Sequence, residues 1–193
     1  MYSAWVDDIM ATCIGRRHCV LYGDSKRRKE LARRDNTEID IINFDGVEII
    51  SDTLAVNNYD LIIIDESTAY KDPSTKRWKA LAKLITPQTR VWALTGTPTP
   101  QGAMDAYGQG KLVNPSRMPR TKTAYRDMVQ YKVSTFIWRD KRGWQDTVNH
   151  LLQPSIYIRK ADCLDLPPVT RSYLDVGLSK AQTLAIKAMV DDM

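Results

Sequence analysis

Two successive carboxylates, Asp65 and Glu66, close the apolar run Leu61-Ile62-Ile63-Ile64. A continuous β-branched run of this kind reads as a strand of a parallel sheet, buried on both faces. Acids at its carboxyl end lie on the edge where α/β proteins bind ligands. From there Asp65 can hold a magnesium ion through water, and Glu66 can orient and deprotonate an attacking water. The same pair also fits a solvated acidic turn, because acidic residues are common in loops. A second strand candidate, Val91-Trp92-Ala93-Leu94, is halted by Thr95-Gly96-Thr97-Pro98, and this context favours the functional reading.

Basic residues form two groups. Lys26, Arg27, Arg28, Lys29, Arg33 and Arg34 sit on one helix-like run, for which a solvated face is the simpler reading. The second group is Arg117, Arg120, Lys122, Arg126, Lys132, Arg139, Lys141 and Arg142, interleaved with Tyr125, Tyr131, Trp138 and Trp144. Such mixtures can follow a phosphate backbone and offer stacking faces, and their aromatics can equally be core. Of these, Arg120, Lys122, Arg126, Arg139, Lys141 and Arg142 are the candidate nucleic-acid contacts. Cys13, His18 and Cys19 fall close together but lack a fourth ligand at zinc-like spacing.

The elements that must position these residues alternate between short apolar runs and helical patterns, as in a parallel sheet covered by helices. Strands are expected at Val20 to Tyr22 (ending at Gly23), Ile39 to Phe44, Leu61 to Ile64 and Val91 to Leu94. Further strands are expected at Ser155 to Ile158 and Ser172 to Val176. A helix is expected over Ser25 to Arg34. Another runs from a Ser74 cap through Trp78, Leu81, Ala82 and Ile85 to Pro87. The segment from about 103 to 150 reads as a helical insertion. Ser179-Lys180-Ala181-Gln182 has the capping-box form and opens a C-terminal helix.

The 193 residues suffice for one domain with its own core, and 43% apolar with 26% charged residues is ordinary for a globular chain. No run of about 18 apolar residues occurs, so neither a membrane span nor a membrane partner is expected. Asp7 and Asp8 argue against a secretory signal. Three cysteines without a CxxC pair indicate reduced thiols and a cytoplasmic setting. A net charge of +5 leans toward a polyanionic partner.

Taken in order, these segments resemble the first motor domain of SNF2-like helicases and translocases of helicase superfamily 2. Leu61 to Glu66 is similar to motif II (Walker B), and Leu94 to Pro98 to motif III. Lys71 in the link from Ser67 to Ser74, then Gln101, Met104, Tyr107 and Leu112-Val113-Asn114-Pro115, continue the pattern. Upstream, Trp5, Ile9, Tyr22-Gly23 and Arg28 resemble the stretch after motif Ia, and Asn43 to Val47 the neighbourhood of motif Ib. Downstream, Tyr157 to Lys160, Leu166 to Pro168 and Leu178 to Gln182 resemble the exit from the domain. Phage-encoded helicases of this group are similar, which implies a host cytoplasm.

The resemblance implies an α/β, RecA-like, three-layer domain over 1–193, with a mostly parallel, incomplete sheet. It implies ATP and magnesium as cofactors and DNA as partner. Asp65 becomes the magnesium ligand and Glu66 the catalytic base, with Thr95, Gly96 and Thr97 as a coupling loop. Lys71 and Gln101 enter through the family pattern alone. The sequence departs from that pattern at Ser67-Thr68, where Ala-His or Gly-His is usual, so Thr68 must couple differently. No Gly-rich G-K-[ST] phosphate loop occurs, since Gly110-Lys111 is followed by Leu112. The expectation is an incomplete site, binding neither cofactor tightly alone. It serves either as part of a motor completed by a P-loop partner chain, or as a non-catalytic module binding DNA or a helicase. The missing strand neighbour also exposes the edge of Val91 to Leu94, which invites self-association or cover by the chain's own N-terminal segment.

Overall fold

A computed structural model describes residues 2–158, 172, 174 and 177–191. It forms two compact units, Met1–Ser155 and Ile156–Met193. In the first unit, β1 (His18–Val20) pairs in parallel with β2 (Ile39–Ile41), and β3 (Leu61–Ile64) pairs in parallel with β4 (Arg90–Ala93). Helices α1 (Tyr2–Thr12), α2 (Ser25–Ala32), α3 (Phe44–Leu54) and α4 (Lys76–Ala82) lie before or between these strands. The result is an α/β arrangement with short parallel sheets.

Local chemistry sets the boundaries. The Arg28 guanidinium donates to the carbonyls of Leu21 and Gly23, both at 2.7 Å, and to Asn43 Oδ1 at 3.0 Å. It therefore closes the end of β1 instead of joining a solvated helix face. Gly23, at φ +95°, turns the chain away, so the strand ends two residues earlier than expected. The second strand stops at Ile41 because Asn43 caps α3, accepting from the Gly46 amide at 3.2 Å. Thr75, not Ser74, caps α4 by accepting from the Trp78 amide at 3.2 Å.

The main core gathers Leu21, Leu31, Val47, Ile50, Leu54, Ile64, Tyr70, Leu81 and Val91. Ile62 and Ile64 face it, whereas Leu61 and Ile63 are exposed. The expectation of burial on both faces of Leu61 to Ile64 is thus corrected. Leu61 and Ile63 alternate away from the only core cluster that this pair of strands contacts among the described residues.

Beyond Pro98 come α5 (Ala106–Val113), α6 (Lys122–Val129) and α7 (Trp144–Leu151). Between the last two lies an antiparallel hairpin, β5 (Gln130–Lys132) and β6 (Trp138–Asp140), which helical patterning did not indicate. Leu112 of α5 belongs to the main core, while Ala103, Tyr107, Tyr125, Val129, Val148 and Leu151 build a second one. Tyr125 is wholly buried and donates to the Ala103 carbonyl at 2.6 Å, so this aromatic is core.

In the second unit, α8 (Lys180–Asp191) starts with the expected capping box: Ser179 Oγ accepts from the Gln182 amide, and Gln182 Oε1 accepts from the Ser179 amide. Ser155 to Ile158 is not a strand, and its apolar side chains are exposed. Cys163, Arg159-Lys160, Leu166 to Pro168 and most of Ser172 to Val176 lie outside the described residues. No described helix is long and apolar enough to cross a membrane.

Candidate functional site

Parallel pairing of β3 with β4 puts Ile64 opposite Ala93, so the acids and the Thr95 to Pro98 loop leave the sheet side by side. Two backbone bonds lock them: Leu94 donates to the Ile64 carbonyl at 2.8 Å, and Ser67 to the Leu94 carbonyl at 3.0 Å. Asp65 and Glu66 are both exposed at this edge. Asp65 Oδ1 accepts from the Glu66 amide at 2.9 Å, and Oδ2 from the Trp5 indole of α1 at 3.4 Å. Glu66 adopts φ +47°, ψ +53°, a left-handed conformation that costs a side-chain-bearing residue on the order of 1 kcal/mol.

A short 3-10 turn follows the acids, from Ser67 to Tyr70. Its hydroxyl bridge to the neighbouring loop runs through Ser67, not Thr68. Ser67 Oγ, fully buried, donates to Gln109 Oε1 at 2.8 Å. The Gln109 amide nitrogen donates onward to the Pro98 carbonyl at 2.7 Å and to that of Asp105 at 2.8 Å. One buried amide on α5 therefore holds the turn after the acids and the exit of the threonine loop together. Among the described residues, no hydrogen bond joins the Thr68 side chain to Thr95, Gly96 or Thr97. Thr95 Oγ1 instead accepts from the Thr97 amide at 3.2 Å, closing the loop on itself, with Gly96 in open space.

Lys71 and Gln101 do meet: the Lys71 ammonium donates to Gln101 Oε1 and lies 3.3 Å from Asp105 Oδ1. Asp105 Oδ2 accepts from the Gln101 amide at 2.8 Å. Asp105, which stands where a phosphate loop would need its first glycine, thus pins the second loop to the first. Sequence reasoning missed Ser67, Asp105 and Gln109 in these roles. The available signal was Gln109 between Gly108 and Gly110, since glycine inside a helix usually marks close packing.

At Gly108 that packing is visible. Its amide donates to the Lys71 carbonyl at 3.1 Å, and the Gly108 carbonyl accepts from the Trp78 indole at 2.9 Å. A Cβ there would meet the carbonyl oxygens of Tyr70 and Lys71 at 2.4 Å. Gly108→Ala is therefore expected to destabilise the chain by about 2 kcal/mol, since backbone cannot yield as a side chain can. A urea midpoint equal to wild type would refute this packing.

The candidate basic residues divide. Arg126, Arg139, Lys141 and Arg142 surround the hairpin. Arg120 and Lys122 lie at the start of α6, with Lys122 about 6 Å of helical rise before Arg126 and farther from the hairpin. Lys122 pairs with Asp72 at 3.5 Å. The Asp72 carboxyl is held below its ordinary range, first by the Ser74 amide and also by Lys122. Lys141 donates to the Asp127 carbonyl, and the Arg126 guanidinium lies 5.1 Å from the Trp138 ring centroid. Arg120, Arg139 and Arg142 are exposed. Of the cysteine group, Cys13 is exposed and Cys19 half-buried, and no described cluster of three or more ligands could hold a metal.

Comparison with known proteins bears on this geometry. The model of the SNF2-related domain matches residues 2–192. Protein p41 of Acyrthosiphon pisum secondary endosymbiont phage 1 is 34% identical over 115 residues, covering 54% of this chain and 24% of that protein. The SWI/SNF-related matrix-associated actin-dependent regulator of chromatin subfamily A-like protein 1 of Xenopus laevis is 34% identical over 161 residues, or 80% of this chain and 17% of that one. The chain thus spans a quarter or less of these relatives. The SWI2/SNF2 ATPase core of Sulfolobus solfataricus, solved in complex with dsDNA, superposes with a TM-score of 0.65 at 22% identity. That match covers 98% of this chain and 39% of the archaeal one, and shares the RecA-like fold. With the family model spanning nearly every residue, the chain belongs to the SNF2-related domain family.

Proposed function

We propose that this chain contributes the Walker B acids and motif III of an ATP-driven, DNA-dependent SNF2-type motor. The observation that carries this is the locked pairing of the Asp65-Glu66 turn with the Thr95-Gly96-Thr97 loop through Ser67, Leu94 and Gln109. Asp65 offers one carboxylate to a magnesium ion, a partial fit, because magnesium draws its remaining ligands from water and nucleotide phosphates. A magnesium ion held there would supply positive charge against the transferring phosphoryl group. Asp65 holds its place through the Trp5 indole and the Glu66 amide. Glu66, exposed and fixed in its left-handed turn, accepts a proton from the attacking water. Movement of the acid turn is transmitted to Thr95–Thr97 by the buried Gln109 amide and by Lys71–Gln101. Thr68 takes part only as a member of that turn.

Phosphate-binding amides and lysine must come from residues outside these 193, on the same or a partner chain. The test is turnover measured on the chain alone and with a P-loop-bearing partner, using Glu66→Gln as the control. Activity insensitive to Glu66→Gln would remove the proposal and leave the rival, a non-catalytic DNA- or helicase-binding module.

The missing neighbour leaves a mark on the sheet. Leu61, Ile63, Trp92 and Leu94 share one face and are exposed, with Trp92 at 57%. On its own the chain is expected to self-associate through this face and the open edge of β4, and Trp92→Ser is expected to weaken the association. Light scattering that finds a clean wild-type monomer at high concentration would count against it.

A further inference from the structure

The β5–β6 hairpin carries a surface that neither hydrolysis nor core packing uses. Its connecting tip exposes Val133, Phe136 and Ile137, with Phe136 at 91%. Register pairs Tyr131 with Arg139 on one face and Lys132 with Trp138 on the other, where Arg126 also stacks on Trp138. Each face therefore sets an aromatic ring beside a cation, and the tip adds a third ring. From Arg126 to Arg142 there are five basic residues and two acidic ones. One of the two, Asp140, is spent internally, accepting from Gln130 at 2.7 Å and from the Ala103 amide at 3.1 Å. Those bonds, with the Lys141 amide donating to the Val129 carbonyl at 2.9 Å, hold the hairpin base to the second core.

Rings alternating with cations on a rigid support suit a chain that has both phosphates and unstacked bases. A duplex keeps its base faces covered, and an apolar protein partner would leave the cations unpaired. We infer that this hairpin binds single-stranded nucleic acid, with an unpaired base stacked on Phe136 and the backbone followed by Arg139, on the Tyr131 face, and Arg142. Tyr131 offers the next stacking face. The inference rests on the DNA-dependent reading above and adds a strand preference to it.

Fluorescence anisotropy of a labelled oligothymidine and of a blunt duplex of equal length, at low salt, tests it on the whole chain. Wild type is expected to prefer the single strand. Phe136→Ala is expected to weaken single-strand binding about tenfold, the loss of one stacked base, while duplex binding stays unchanged. Phe136→Trp is expected to retain it. Because Phe136 touches no core cluster, the urea midpoint should not move. Equal single-strand affinity for wild type and Phe136→Ala would overturn the hairpin site but leave DNA dependence standing. Loss on both probes alike would overturn the strand preference. Wild-type binding to neither probe would overturn both readings. Unchanged single-strand binding with a reduced oligomer in light scattering would assign the tip to self-association instead.

Discussion

Purified alone, the chain is expected to show no DNA-stimulated ATP turnover, although it carries Asp65 and Glu66. Those acids act on a nucleotide that other groups must already hold. Asp65 has one oxygen occupied by the Glu66 amide and the other near Trp5, so it offers an ion little without phosphate oxygens. The charge that develops on transfer also needs an arginine, which in the resembled motors comes from a second motor domain. Such an arginine alone is typically worth about a thousandfold or more. Once a P-loop and second motor domain are supplied, activity should appear, and Glu66→Gln should lower it by roughly two to four orders of magnitude. Robust turnover in the isolated chain that disappears in Glu66→Gln would show the site to be complete, contrary to this account.

The second large effect concerns salt. Sequence-independent binding to DNA should weaken by on the order of a hundredfold between 50 and 200 mM salt, the change for about four neutralised phosphates. The structure says which cations should matter. Arg139 and Arg142 are exposed, so reversing their charge should weaken binding and flatten the salt slope. Lys122 is already paired with Asp72, so Lys122→Ala should cost much less. Anisotropy titrations at the two salt concentrations check this. An affinity indifferent to salt would mean that the basic cluster does not contact phosphate.

Much of the fold was legible because the local signals were strong. The run Leu61 to Ile64 could hardly be anything but a strand, and Asp65-Glu66 at its end marked the carboxyl edge of the sheet before any contact was known. Ser179 likewise announced a helix start through a side chain that reaches only a few residues along the chain, whereas Asn43, read as part of a strand, is the cap of α3. Periodicity was less informative between Pro98 and Leu151. There a three-residue strand pair is too short to show alternation, so the hairpin stayed hidden within a helical reading.

What the sequence determined by itself was the order of the motifs, the identity of the acids, and membership of the SNF2-related family. Which residues join those motifs was decided by tertiary structure alone. Gln109 stands forty-two residues from Ser67 and bonds to it only because Gly108 lets α5 press against the Tyr70-Lys71 turn. Arg28 looked like one more charge on a basic helix until the ends of β1 and β2 converged on its guanidinium. Hydrogen bonds between distant elements depend on approach and burial, and neither residue type nor spacing encodes these directly. The same holds for the exposed rings of the hairpin. Tyr125 and Phe136 are both aromatic residues of the segment read as a helical insertion, and packing sends one into the core and the other into solvent.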